Sequence, residues 1–490
     1  MENTPTTPSD TAAASVDADS PHLEGSLGTG GLLFTVLAFN APIGIMSGFI
    51  PVVITLGIGG PTPLIYLGVM VMVLFFAAGL VTMAKHMAKP GAFYTYVTHA
   101  LGRSMGLGAG FTALATYVVL AAATYIFMGV VTNTVSTGIL HGPDLPWWAW
   151  ALIAWALVST LTLLNIDVST KVLGVLLCVE VLVVLVWDLR VFFDGGPAGR
   201  GLELSVPATG SWGLALLLAV GCLTGFESIQ VFRSETRDAD RTIPRATYLV
   251  IIILAGFYAF NSWIYQVAFG GPGGIGASLA QTGSAAGSFF DSLELYVATV
   301  AGDVANVLVV TSLFAAVLAV QNISARYTFA LGSDGVLPSA LSRVHPRWKS
   351  PTPAAGAVAV AVLAIDLVLA VAHVDPVTWY VALQGLGLWG LILLMTWTAV
   401  AIIVFFRSRR ELDASLFKTL IAPILSAIGF GLTLFLSFKN ADLLFGTAAT
   451  GYWCMAALCA VAVAGSLYAQ WLKSAKPAVW DRIGAQDEIH

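Results

Sequence analysis

The chain has 490 residues, 58% of them hydrophobic and only 10% charged, with a formal net charge of −5 at pH 7. A soluble chain of this length needs far more charge to cover its surface, so the composition excludes a soluble enzyme or binding domain and points to the bilayer as solvent. The net charge itself says little about partners, and no nucleic-acid partner is expected.

In chain order, residues 1–26 are polar and acidic, with no basic segment leading into an apolar core, and read as a disordered cytoplasmic tail rather than a signal peptide. A membrane-spanning helix needs roughly 20 mostly apolar residues. Twelve such stretches follow, at 31–58, 63–86, 104–135, 147–166, 169–191, 212–233, 245–269, 295–331, 353–373, 377–406, 418–438 and 448–472. The expected architecture is an all-α integral membrane protein of twelve transmembrane helices. A five-helix unit (27–193) is followed by a second (211–410), then two extra helices (411–473) and a short cytoplasmic tail (474–490).

Charge placement tests that topology. With the N-terminus inside, "MAKHMAKPG", "RSETRDADRTIPR", "RVHPRWKS" and "FFRSRR" are all cytoplasmic. Of the 22 Lys and Arg, only Arg190, Arg200 and Lys439 then lie outside. That asymmetry is the positive-inside pattern, and it puts both termini in the cytoplasm. The cysteines Cys178, Cys222, Cys454 and Cys459 all fall within spans, which suggests neither a disulfide framework nor a metal site.

The first span carries "FNAPIGIMSGF", with Pro42, Gly44 and Gly48 at membrane depth. Unpaired backbone groups in hydrocarbon cost several kcal/mol, so irregular backbone survives there only inside protein or against a watery cavity. A simple kink explains this stretch alone equally well. The sixth span reads "AVGCLTGFESIQVF", interrupted by Gly221, Thr224, Gly225 and the carboxylate Glu227. Spans one and six hold equivalent places in the two five-span units, and paired interruptions of this kind point to a transporter binding site. Half-helix N-termini offer N–H groups to an anion, and unwound carbonyls receive a cation. An amino acid carries both charges.

Three further segments extend the pattern: "KPGAFYTYVTHALGR" (89–103), "TGFESIQVFRSETRDADRTIPRA" (224–246) and "QNISARYTFALGSDGVLP" (321–338). In this order they resemble signatures of the amino acid–polyamine–organocation (APC) permeases, which have the leucine-transporter-type fold. The resemblance covers roughly 31–410. It implies a 5+5 inverted repeat with broken helices 1 and 6, a site between them, and no cofactor. In similar transporters the first break reads Gly-Ser-Gly; here the triplet is Met46-Ser47-Gly48, so the amides of Ser47 and Gly48 become the anion donors. The carbonyls of Gly44, Gly221 and Thr224 then take the α-ammonium, with Ile45 and Cys222 beside them, and Tyr117 lines the pocket. For Tyr117, an aromatic packed between helices fits as well. Gly221 stands where relatives often carry a large gating aromatic, which implies an enlarged pocket or a gate elsewhere.

Intramembrane carboxylates are the other functional pointer, because burying a charge there is expensive. Aligning "STKVLGVLLCVE" with similar transporters puts Glu180 where proton-coupled members have a lysine, in the place of a sodium ion of sodium-coupled relatives. Glu180 then reads as a proton carrier, a fixed anion or a hydrogen-bonded brace. Glu227 reads as a link from substrate to the inner half or as a brace of the broken helix. Asp303 and Asp366 lie near span ends, within reach of water. Glu235, Arg237 and Arg241 read as inner-gate contacts or as ordinary solvated charges.

The expectation is a secondary transporter of an amino acid or related amine in the cell membrane, working by alternating access with the proton as co-substrate. Exchange of substrates, a polyamine substrate and a non-transporting sensor are the alternatives. No catalytic constellation is expected: the seven histidines all fall in tails, loops or span ends.

Overall fold

The computed structural model describes residues 28–87, 93–164, 170–197, 210–227, 229–230, 236–282, 285–348, 350–409, 411–412 and 414–484. The expected N-terminal tail and residues 88–92 and 231–235, including Glu235, lie outside the described residues. α1 (Thr29–Asn40), α2 (Pro42–Gly48) and α3 (Ile50–Val52) run end to end into a wide π turn, Val53–Ile58. α4 (Thr62–Lys85) returns, and the short α5 (Phe93–Leu101) leads into α6 (Arg103–Gly138). α7 (Trp147–Leu164), α8 (Thr170–Asp194) and α9 (Trp212–Gly221) follow. α10 (Ala239–Phe269) leads through two short helices, α11 (Pro272–Thr282) and α12 (Ala285–Tyr296), to α13 (Thr299–Ser333) and α14 (Thr352–Val371). α15 (Pro376–Ser408), α16 (Ala422–Lys439), α17 (Ala441–Phe445), α18 (Ala448–Ala475) and α19 (Pro477–Arg482) complete the chain.

Among the described residues, nine helices are long and apolar enough to cross a membrane: α4, α6, α7, α10, α13, α14, α15, α16 with the turn that enters it, and α18. The stretches 31–58 and 212–233 are instead broken. The first divides at Ala41, whose φ of 49° and ψ of 68° are left-handed and stop α1. Pro42 then starts α2, where a missing N–H costs nothing because the first turn has no intrahelical partner for it. The second stretch is α-helical only to Gly221; Cys222–Gly225 are turns, with Gly225 at a φ of 102° that suits glycine, and Phe226, Glu227, Ile229 and Gln230 take the tighter 3-10 form.

Outward faces of α4 and α16 expose Leu64, Leu67, Ile428 and Phe435, an apolar wall suited to lipid. The centre is α6, which packs against α13, α15 and α18. Lipid supplies no hydrophobic drive between helices, so close contact depends on small residues. Where α6 meets α18, a Cβ on Gly465 would lie 3.0 Å from the Gly108 Cα and 3.0 Å from the Leu107 carbonyl oxygen. At one end of the bundle, the Tyr94 hydroxyl of α5 donates to Asp334 at 2.5 Å, and the Gly484 N–H donates to the same carboxylate at 2.9 Å. This ties the segment after α19 to the ends of α5 and α13.

Gly465→Leu is therefore expected to lower the thermal unfolding temperature by several degrees, through forced separation of α6 and α18. Gly256→Leu, on an open face of α10 where nothing lies within 4 Å of a new Cβ, is the matched control and is expected to leave it in place. Equal melting of the two purified variants would rule out the close crossing.

Candidate functional site

The two interrupted helices meet. Asn40, the last residue of α1, is buried, and its Nδ2 donates to the Thr224 carbonyl at 2.7 Å. Its Oδ1 accepts from the Tyr258 hydroxyl of α10 at 3.2 Å. One side chain thus joins the first break to the second and anchors both to α10. Within the second break, the Gly221 carbonyl accepts from the Thr224 N–H at 3.2 Å and from its Oγ1 at 2.8 Å. Glu227 closes the turn by accepting from the Gly225 N–H at 2.8 Å.

At the start of α2 the free donors can be assigned one by one. Pro42 has no N–H, and the Ile45 N–H returns to the Ala41 carbonyl at 3.1 Å. The Ile43 N–H lies beside the carboxyl of Glu180, which also accepts from the Ser312 hydroxyl of α13 at 2.9 Å. That leaves the Gly44 N–H without a partner among the described residues. A helix N-terminus carries partial positive charge, so this amide favours an anion. The facing end of α1 leaves its last carbonyls without intrahelical partners, a negative pole at the same break.

A cavity of about 100 Å³ opens here. Asn40, Gly44 and Ile45 line it from the first break, and Gly221 and Thr224 from the second. Thr124 and Phe127 of α6 and Tyr380, Gln384 and Leu388 of α15 complete much of the wall. No charged side chain is among the residues lining it. The rings of Phe127 and Tyr380 stack at 4.3 Å between centroids and 9° between planes, forming a flat cover beside Gly48. Two broken helices and an uncharged chamber are thus brought together at one place. Among the described residues, no group of His, Cys, Asp and Glu is placed to hold a metal.

The family model for amino acid permeases matches residues 31–463. The chain belongs to the amino acid permease family. This permease is 24% identical over 407 residues to the low-affinity putrescine importer PlaP of Escherichia coli (strain K12), covering 79% of this chain and 83% of that one. The lysine-specific permease LysP of Lactococcus lactis subsp. cremoris is 24% identical over 291 residues, 56% of this chain and 55% of its own. The branched-chain amino acid permease BcaP of Bacillus subtilis is 22% identical over 298 residues, 57% and 61% of the two chains. The chain is thus a multi-pass membrane permease of a family that moves amino acids or amines, and not an enzyme.

Of the residues expected at the site, Gly44, Ile45, Gly221 and Thr224 come together around the cavity of the permease. Met46, Ser47 and Gly48 do not line it: the break falls at Ala41, five residues before the triplet. Ser47 and Gly48 are the sixth and seventh residues of α2, beyond the four whose N–H groups a helix start leaves free. The donor next to the cavity is therefore Gly44 rather than Ser47 or Gly48. The carbonyls assigned to an ammonium are likewise engaged. That of Gly221 accepts twice from Thr224, that of Thr224 accepts from Asn40, and that of Gly44 accepts from the Ser47 hydroxyl at 3.3 Å. Cys222 is buried against the Tyr66 hydroxyl at 3.8 Å.

Tyr117 sits elsewhere too, its ring 5.6 Å from that of Tyr327 and within electrostatic reach of Glu227. From α6 it is Leu120, Thr124 and Phe127 that face the cavity. The gap expected at Gly221 is filled, because a Cβ there would lie 2.6 Å from Leu388. Asp366 is buried, with Oδ1 unpartnered among the described residues, rather than reaching water. Arg241 is exposed and has Asp238 at 3.9 Å, an ordinary solvated pair. Sequence reasoning passed over Asn40, Tyr380 and Gln384. A polar Asn directly before the Pro42 break, and a lone Gln inside "VALQGLGLWG", were the signals that could have found them.

Replacing Asn40 by Leu strands the Thr224 carbonyl and the Tyr258 hydroxyl in a dry interior. The expected cost is about 2 kcal/mol of stability, together with at least tenfold weaker substrate binding, read by thermal unfolding and by ligand titration. An Asn40→Leu protein with wild-type melting and affinity would remove the bridge from this account.

Proposed function

We propose that this permease is a secondary transporter of α-amino acids, coupled to protons and working by alternating access. The reading includes twelve spans in a 5+5 repeat plus two, with both termini in the cytoplasm. The observation that carries it is the first break, where Asn40, at the end of α1, and Gly44, at the start of α2, line one uncharged cavity. A carboxylate and an ammonium on neighbouring atoms suit two opposed backbone poles that need no side-chain charge.

Glu180 supplies the coupling. Its carboxyl and the substrate carboxylate address adjacent amides, Ile43 and Gly44, at one helix start. Two unit charges roughly 5 Å apart in surroundings of effective dielectric about 20 repel by about 3 kcal/mol. A proton on Glu180 removes that repulsion, so proton and substrate each favour the other's binding by up to about 100-fold. The sign follows: the neutral carboxyl predominates at lower pH, so substrate binds more tightly on the acidic side. Of the titratable groups on the helices packed around α8, the Tyr258 phenol of α10 lies within electrostatic reach of Glu180.

An amine substrate is the second reading, favoured by the similarity to a putrescine importer. A diamine needs anionic partners at the pocket, and Glu227 is not among the lining residues. Uptake of a neutral amino acid against uptake of putrescine in proteoliposomes separates the two.

For the coupling, Glu180→Gln is expected to abolish accumulation driven by an inward proton gradient while substrate exchange continues. Binding in the variant is expected to lose its dependence on pH. Proton-driven accumulation by the variant would exclude Glu180 as the sole carrier, leaving Glu227 to be tested.

A further inference from the structure

The polar groups around the cavity are of two kinds. Asn40 is used at both ends by Thr224 and Tyr258. Thr124 Oγ1 donates to the Leu120 carbonyl at 2.8 Å, and Thr224 Oγ1 donates to the Gly221 carbonyl at 2.8 Å. The Gln384 amide and the Tyr380 hydroxyl also line the cavity, and among the described residues neither has a hydrogen-bond partner. They are four residues apart on α15, and so share one face.

Their level in the bundle follows from their neighbours. The Tyr380 hydroxyl is 3.5 Å from where a Gly48 Cβ would stand, and Leu388 is 2.6 Å from that of Gly221. Gln384 is one turn from each, which sets it between Gly48 at the end of α2 and Gly221 at the end of α9. Tyr380 is fixed by its stack on Phe127. The Gln384 amide both donates and accepts.

Resting on the α-amino acid reading above, we infer that Gln384, assisted by the Tyr380 hydroxyl, determines side-chain specificity, and that the substrate is an uncharged amino acid bearing a hydroxyl or carboxamide. The lining constrains the polarity of the substrate's side chain. A charged one would enter a wall without a counter-charge, which is costly at membrane depth. An apolar one would displace water from Gln384 and Tyr380 and leave both unpaired, the situation in which a polar site rejects an analogue most strongly.

The test is competition for uptake in proteoliposomes, supported by thermal shift on purified protein, with serine, threonine, asparagine, alanine, valine, lysine and putrescine as probes. Wild type is expected to prefer the first three over alanine and valine by tenfold or more. Gln384→Leu is expected to collapse that ratio towards one, and Tyr380→Phe, which keeps the stack, to reduce it part of the way. Gln384→Glu provides a second handle if the Leu variant does not fold: its new carboxylate is expected to improve competition by lysine relative to serine. A folded, transporting Gln384→Leu protein with the wild-type ranking overturns the assignment, as does a wild type that prefers valine, or a Gln384→Glu protein with no gain for lysine. Competition by putrescine alone, with no amino acid bound, overturns the underlying amino acid reading as well, so the two failures are distinguishable.

Discussion

The rule that backbone polar groups do not go unpaired in hydrocarbon governs this structure. Breaking two helices at membrane depth exposes N–H and C=O groups that lipid cannot satisfy. The fold meets that demand with one buried side chain. Asn40 carries the carboxamide needed to bond the carbonyl of the other break and to accept from Tyr258 at the same time. Proline at position 42 removes one donor from the problem, Glu180 lies beside the next, and Gly44 keeps the one left over. The candidate site lies where the first N–H groups of α2 have been assigned and that of Gly44 is left over.

The placement of charge follows from the same constraint. The cavity wall is neutral, whereas Glu180 and Glu227 stand just behind it, each against a backbone N–H or a hydroxyl. On the proposed reading, carboxylates held at one remove act on a solute through helix ends rather than by direct pairing. Such an arrangement suits a carrier, since a solute gripped by a buried ion pair is hard to release. Asp188 and Asp366 are also buried, on α8 and α14, and neither lines the cavity.

Much of this was legible in the sequence. Composition and apolar run length determined the solvent, because a chain so poor in charge has no other means of covering its surface. The interruptions around Pro42 and Gly221 were visible because Pro and Gly act locally, through a missing N–H or a permitted left-handed φ. Three sequence segments in order pointed to the permease family, and the family match over 31–463 agrees with them.

Tertiary structure decided which residues of those interruptions line the cavity. The triplet Met46-Ser47-Gly48 was expected to hold the break, but the chain turns at Ala41, and Ser47 and Gly48 lie within α2, beyond its first turn. The identity of Asn40 as a bridge, of Leu388 as the filler of the gap beside Gly221, and of Phe127 with Tyr380 as a cover depends on residues from 167 to 253 positions apart meeting in space. No local pattern encodes such meetings. Sequence alone determines that a membrane helix must fail near Pro42 and Gly221, because that is a property of a few adjacent residues. Which donors and acceptors remain free once it fails is settled only when the other helices have claimed the rest.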